Sequence, residues 1–212
     1  TGVSSLVVNL GGIATYPSTV REYASYENVL ETAAHEWLHQ YLFFHPLGSR
    51  YFDNETLRTL NETVANIGGR EIADLVQQRF PLPQSSFVTA ADEPREEPRI
   101  DFRAEMHELR LEVDRLLSEG KIGEAEALME QKREFLTENG FYIRKINQAY
   151  FAFHGLYADT PASSSPIGPK MQELRRLSPS LGDFVRSVAE ITSEEDLDRL
   201  LAERAVEGLT PP

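Results

Sequence analysis

Apolar residues recur at two different periods along this chain. Residues 3–13, VSSLVVNLGGI, form a β-prone run closed by Gly11-Gly12 and predict one strand or two near the N-terminus. A loop follows around Tyr16-Pro17-Ser18. From about Tyr26 to Phe44 the period lengthens. Val29, Leu30, Ala33, Ala34, Trp37, Leu38, Tyr41 and Leu42 recur at helical spacing, and Pro46 and Gly48 close the helix. A second helix is predicted from about Asn54 to Arg79, with Leu57, Leu60, Val64, Ile67, Ile72, Leu75 and Val76 on its apolar face. Gly68-Gly69 inside it marks a kink or a close helix crossing.

Residues 81–99 are rich in Pro, Ser and charge and read as a connecting segment. A helical hairpin follows, with arms from about Phe102 to Ser118 and from about Ile122 to Thr137, and Gly120 and Gly123 at the turn. Asn139-Gly140 ends the second arm. A further helix is predicted from about Phe141 to Gly155, then a Ser/Pro/Gly loop from Thr160 to Pro169. Two short helices finish the chain. One follows Ser178-Pro179; the other is opened by Thr192 with Glu195 in capping-box spacing.

Charge narrows the range of partners. The 212 residues carry a formal net charge of -13, which argues against nucleic acid, whose phosphates call for clustered Lys and Arg. It also disfavours docking on anionic lipid. With no cysteine, disulfides, thiolate metal sites and cysteine nucleophiles are excluded, and the compartment stays open. A soluble domain of a membrane-tethered or exported protein fits, and so does a cytoplasmic one. No apolar run has the length of a bilayer span, and the chain begins at Thr1. It reads as a trimmed or processed piece, so any signal or membrane anchor would lie outside it.

The chemistry concentrates in His35-Glu36-Trp37-Leu38-His39, an H-E-x-x-H pattern inside a predicted helix. Imidazoles four positions apart share one helical face, so both reach a single ion, which the pattern predicts to be zinc. The glutamate beside the first histidine lies off the metal axis and can take a proton from a zinc-bound water. The chain has only five histidines, and two fall in this register. The plain alternative is a helix with two polar residues near a core.

Zinc of this kind takes a third protein ligand. Glu62, in Leu60-Asn61-Glu62-Thr63-Val64-Ala65-Asn66, lies on the next predicted helix, beyond a loop long enough to fold that helix back. His45 competes, because HEWLHQYLFFH has the histidine spacing of metzincins. Leu42, however, stands where that pattern has a glycine, and in a continued helix His45 points away from the other two. Glu55 and Glu71 are further carboxylates, with Glu71 facing the opposite side of an unbroken helix from Glu62.

Over about residues 27–72 the sequence resembles the gluzincin metallopeptidases, the thermolysin-like and aminopeptidase-like group, in which H-E-x-x-H is followed by a helix carrying N-E-x-x-x-(D/N). The resemblance implies His35, His39 and Glu62 as zinc ligands and Glu36 as the base. It also implies Asn66 as the partner of a ligand histidine, of the sort that fixes ring orientation.

Other groups are candidates to complete such a site. Asn147, Tyr150, His154 and Tyr157 fall on one side of the predicted 141–155 helix, and Tyr150, His154 or Tyr157 would donate to an oxyanion. The strand near Val7 to Ile13 would serve as an edge for an extended peptide, with Gly11-Gly12 allowing close backbone approach.

The predicted fold is α+β, mainly α: a short N-terminal β segment, zincin-like active-site helices, a helical hairpin and C-terminal helices. Residues 1–80 form the metal-binding core, 81–100 a linker, 101–159 the hairpin and a cleft-lining helix, and 160–212 a loop and helices packed on the core. The predicted function is zinc-dependent hydrolysis of a peptide or protein substrate. The alternative is a non-catalytic, metal-stabilised helical interaction domain.

Overall fold

The computed structural model describes Ser5 and residues 12–13, 19–20, 25–81 and 100–207. Among these residues the fold is carried by nine helices, and the only strands are two of two residues each. β1 (Gly12–Ile13) pairs antiparallel with β2 (Thr19–Val20), Gly12 opposite Val20 and Ile13 opposite Thr19. Of the expected α+β, mainly α class, the described residues show the helical part, with essentially no strand. The remainder of the predicted 3–13 strand lies outside the described residues except Ser5, which is not in a strand, and the 82–99 part of the connecting segment lies outside them entirely.

The described residues fall in two compact units. One contains residues 100–155 and 160–164. Its hairpin is as predicted: α4 (Phe102–Ser118) and α5 (Ile122–Glu138). Met106, Leu109, Val113 and Leu116 of α4 pack with Ala125, Met129 and Leu136 of α5. Gly120 and Gly140 end these helices at φ +73 and +89, the left-handed conformation glycine adopts without a Cβ penalty. The next helix is shorter than the predicted 141–155. α6 (Gln148–His154) starts after Asn147, whose side chain caps the Tyr150 N–H at 2.8 Å, and stops at Gly155. Residues 141–147 are non-helical: Gly140 turns the chain in the αL conformation, and the irregular segment after it buries Ile146 in the core.

The other unit contains residues 25–81, 156–159 and 165–207 together with the two strands. Ser25 opens α1 (Tyr26–Phe43), its hydroxyl accepting the Asn28 N–H at 3.3 Å. Of the predicted apolar positions, Ala34, Leu38 and Leu42 are buried. Trp37 faces solvent and stacks on Tyr41 at 6.0 Å. At Pro46 the chain does not simply leave helix; Pro46–Ser49 forms a single turn, α2. Asn54 then caps α3 (Glu55–Arg79) by accepting the Leu57 N–H at 2.8 Å.

α3 is the centre of this unit. Every residue from Thr59 to Ala65 is buried, so it has no solvent face there. Leu57, Leu60, Val64 and Ala65 share a core with Leu38 and Leu42 of α1 and with residues of three C-terminal helices. These are α7 (Ile167–Leu177), α8 (Leu181–Ala189) and α9 (Glu194–Glu207). α7 replaces the end of the predicted loop. Pro166 is its N-cap and Pro169 lies in its first turn, where a missing N–H costs nothing, so the prolines there mark a helix start. The α9 cap is one residue later than predicted: Ser193 accepts the Asp196 N–H at 3.3 Å, and Asp196 accepts the Thr192 N–H at 2.8 Å.

The glycine pair in α3 is a close crossing. A Cβ on Gly69 would lie 3.1 Å from both the Glu31 carbonyl oxygen and the His35 nitrogen, so α3 rests on the α1 backbone beside a predicted ligand. Gly69→Val should destabilise the chain by about 1–3 kcal/mol through overpacking. Gly123→Ala in α5, where a Cβ meets nothing within 4 Å, should instead be stabilising, by about 0.5–1 kcal/mol. Urea titration of both variants checks the contrast.

Candidate metal centre

α1 presents His35 and His39 one turn apart, and α3 runs back along it. His39 meets Asn61 near the start of α3, while His35 meets Gly69 further on. This antiparallel pairing sets Glu62 against both imidazoles. His35 Nε2 and His39 Nε2 are 3.0 Å apart, and each is 3.4 Å from Glu62 Oε2. Tetrahedral zinc with bonds of about 2.0–2.2 Å spaces its ligand atoms about 3.3–3.6 Å apart, so the triangle has nearly the right size. His35, His39 and Glu62 form the group able to hold a metal ion among the described residues.

Two details favour a cation over a simple polar cluster. Glu62 Oε2 is buried without a hydrogen-bond partner, an arrangement that a protein interior normally avoids. In addition, Asn61 Oδ1 lies 2.7 Å from His39 Nδ1. An amide oxygen only accepts, so Nδ1 carries a proton, and Nε2 is the ring nitrogen turned toward Glu62 and His35. Asn61 thereby selects the tautomer a metal needs.

The second oxygen of Glu62 is already engaged: the Tyr51 hydroxyl donates to Oε1 at 2.5 Å. Burial opposes the Glu62 charge, but the His35 and His39 imidazoles 3.4 Å from Oε2 and the Tyr51 hydroxyl outweigh it and hold the carboxyl far below the usual range. Burial also opposes charge on His39, yet the Glu62 carboxylate 3.4 Å away raises its proton affinity above the ordinary value. Glu36 behaves in the opposite way to Glu62. Burial pushes its carboxyl up, and the pull of His35 and His39 only partly reverses this.

Tyr157 completes the group. Its ring lies 6.0 Å from that of His35. Burial first, then the charges of Glu62 and Glu36, keep its hydroxyl protonated well above the normal phenol range. It sits in the segment 156–159, which is tied to α3 at two points. The Ala158 N–H donates to Thr63 Oγ1 at 3.0 Å. Buried Asp159 accepts from Asn66 Nδ2 at 3.0 Å and pairs with Arg70. Gly168 of α7 underlies the segment, since a Cβ there would lie 2.0 Å from the Ala158 carbonyl oxygen.

Each predicted site residue now has a place. His35, His39 and Glu62 come together, with Glu36 and Tyr157 close by. The rings of Tyr150 and His154 meet at a tilt, 4.3 Å between centroids, in the other compact unit, burial raising the tyrosine and lowering the histidine. The four-residue stripe on one helix is corrected, because α6 ends at His154 and Tyr157 belongs to a separate segment. His45 is not a ligand in this arrangement: it precedes α2, lies tilted against the Tyr41 ring and pairs with Glu190 at 3.1 Å. Glu71 pairs with Arg175 at 2.6 Å. The partner expected at Asn66 is Asn61 instead, and Asn66 anchors Asp159.

Tyr51 and Asn61 were missing from the sequence reading. Asn61 was legible as the residue before Glu62 in the N-E stretch. Tyr51 carried no local signal beyond lying between the two ligand-bearing helices.

Comparison with family models, with curated proteins and with solved structures gave no match. What stands is a helical protein with a partly buried His35/His39/Glu62 group that could hold a metal ion.

Asn61→Ala should lower metal affinity about 10–100-fold while leaving one ion per chain, as measured by chelator competition. The pH response should have two signs. Without metal, the raised His39 adds stability that is complete below its ordinary value of 6.5 and is lost as pH rises through its folded value. The depressed Glu62 adds stability that is present above its ordinary 4.5 and is lost as pH falls toward its folded value. Added metal must displace the His39 proton, so the metal-induced gain in Tm should grow from about pH 5.5 to about pH 8. Thermal melts with and without zinc check both.

Proposed function

We propose that this chain is a zinc-dependent peptidase of gluzincin type, with Glu36 as its general base. The reading is carried by one observation: beside three converging ligand atoms lie two groups outside the ligand set, a carboxyl and a phenol, each with raised proton affinity. The donor set of two imidazoles and one carboxylate suits zinc, and three protein ligands is the number found in catalytic zinc sites. The H-E-x-x-H motif and the N-E stretch support the peptidase class over other metal-assisted hydrolyses.

Zinc, when bound, supplies a Lewis acid that acidifies water and polarises the scissile carbonyl. Glu36 takes the proton from the attacking water as the new carbon–oxygen bond forms. It returns that proton to the amide nitrogen as the carbon–nitrogen bond breaks. A carboxyl raised by burial suits both steps, since it accepts a proton more readily than a solvated one and still releases it to an amine. Tyr157, held as the neutral phenol, donates a hydrogen bond to the oxygen on which charge develops. Asn61 keeps His39 in the required tautomer.

Glu36→Gln should retain one zinc per chain and abolish cleavage of an unbiased peptide library. Tyr157→Phe should keep zinc and lower kcat about 100–1000-fold with a smaller change in KM. Metal content by atomic absorption and cleavage by mass spectrometry, with and without a chelator, provide the readings. Cleavage that survives Glu36→Gln removes the proposed base. A zinc-loaded unmodified chain that cleaves nothing removes the enzyme reading.

A further inference from the structure

We propose that Tyr51 is a positioning residue that makes Glu62 a one-oxygen metal ligand, an inference that rests on the metal-site reading above. A carboxylate can bind a cation through one oxygen or through both. Here the two oxygens are already distinguished. Oε1 accepts the Tyr51 hydroxyl at 2.5 Å, while Oε2 is buried, without a hydrogen-bond partner and 3.4 Å from each imidazole Nε2. Rotating Glu62 so that both oxygens face the histidines would break the Tyr51 bond and leave a buried oxygen and hydroxyl to find new partners.

The fold takes trouble to bring Tyr51 there. It follows α2, where buried Leu47 packs into the core and Gly48 lies against the end of α1. A Cβ on Gly48 would fall 2.1 Å from the Leu42 carbonyl oxygen, so only glycine permits this turn. The Tyr51 N–H donates to the Gly48 carbonyl at 3.2 Å, which ties the tyrosine backbone to the same turn. The ring is held edge-on to His39 at 6.2 Å, with the Arg58 guanidinium 5.6 Å from its centroid. Tyr51 therefore touches a ligand's free oxygen and a ligand's ring at once, from a backbone that sterics fix.

The test uses the whole chain loaded with cobalt(II), whose visible absorption weakens as coordination number rises above four. Tyr51→Phe removes only the hydroxyl. It should bind one cobalt per chain with affinity lowered about 10–100-fold and with a weaker, shifted visible band, as Glu62 turns to bind through both oxygens. Far-UV circular dichroism of the metal-free variant should match the unmodified chain. If Tyr51→Phe keeps both the affinity and the band of the unmodified chain, the Tyr51 assignment fails and the metal site stands. If the unmodified chain takes up no cobalt, the metal site fails and Tyr51 with it.

Discussion

Glu62 carries a negative charge in a stretch of α3 where every residue is buried. Such a charge is costly unless several partners share it. Two imidazoles, one phenol and the unpaired direction of Oε2 define what those partners are. Much of the surrounding structure follows from this one requirement. α3 must lie close enough to α1 for the carboxylate to meet both histidines, and the connection between the helices must return a tyrosine to its other side.

The buried part of α3 shows how that requirement is met. From Thr59 to Ala65 no residue faces solvent, yet four of the seven are polar. Thr63 binds the Thr59 carbonyl and receives the Ala158 N–H; Asn61 holds His39; Glu62 takes Tyr51. The apolar residues between them supply the core with Leu38 and Leu42. One segment thus serves both packing and site, and glycines at 48 and 69 allow the backbone approaches that bring the two helices and their connection together.

Two neighbouring carboxyls are driven in opposite directions by their surroundings. Glu62 gains donors and stays ionised; Glu36 is buried with less compensation and holds its proton more strongly. A separation of this kind between acid groups is how one site obtains a ligand and a base from the same side-chain chemistry. The phenol of Tyr157 joins them through a different route, pinned by Asp159 to Asn66 and Arg70 on α3.

Local pattern was enough to reveal α1, α3 and the α4–α5 hairpin, because their apolar spacing and glycine stops are short-range signals. It also placed His35 and His39 on one face of a helix, since helical periodicity decides which side chains share a face, while Glu62 was offered by its N-E stretch on the following helix and the resemblance that stretch carries. It failed where distant chain segments decide. Residues 141–147 are irregular where a helix was expected, with Ile146 drawn into the core, and the prolines around α7 disguised a helix whose first turn tolerates them. Asn61 rather than Asn66 beside His39, Tyr51 on the free oxygen of Glu62, and Tyr157 delivered by its own pinned segment were decided by tertiary structure. Each depends on how closely two helices cross and where a connection returns, and those distances are set by packing between residues far apart in the chain.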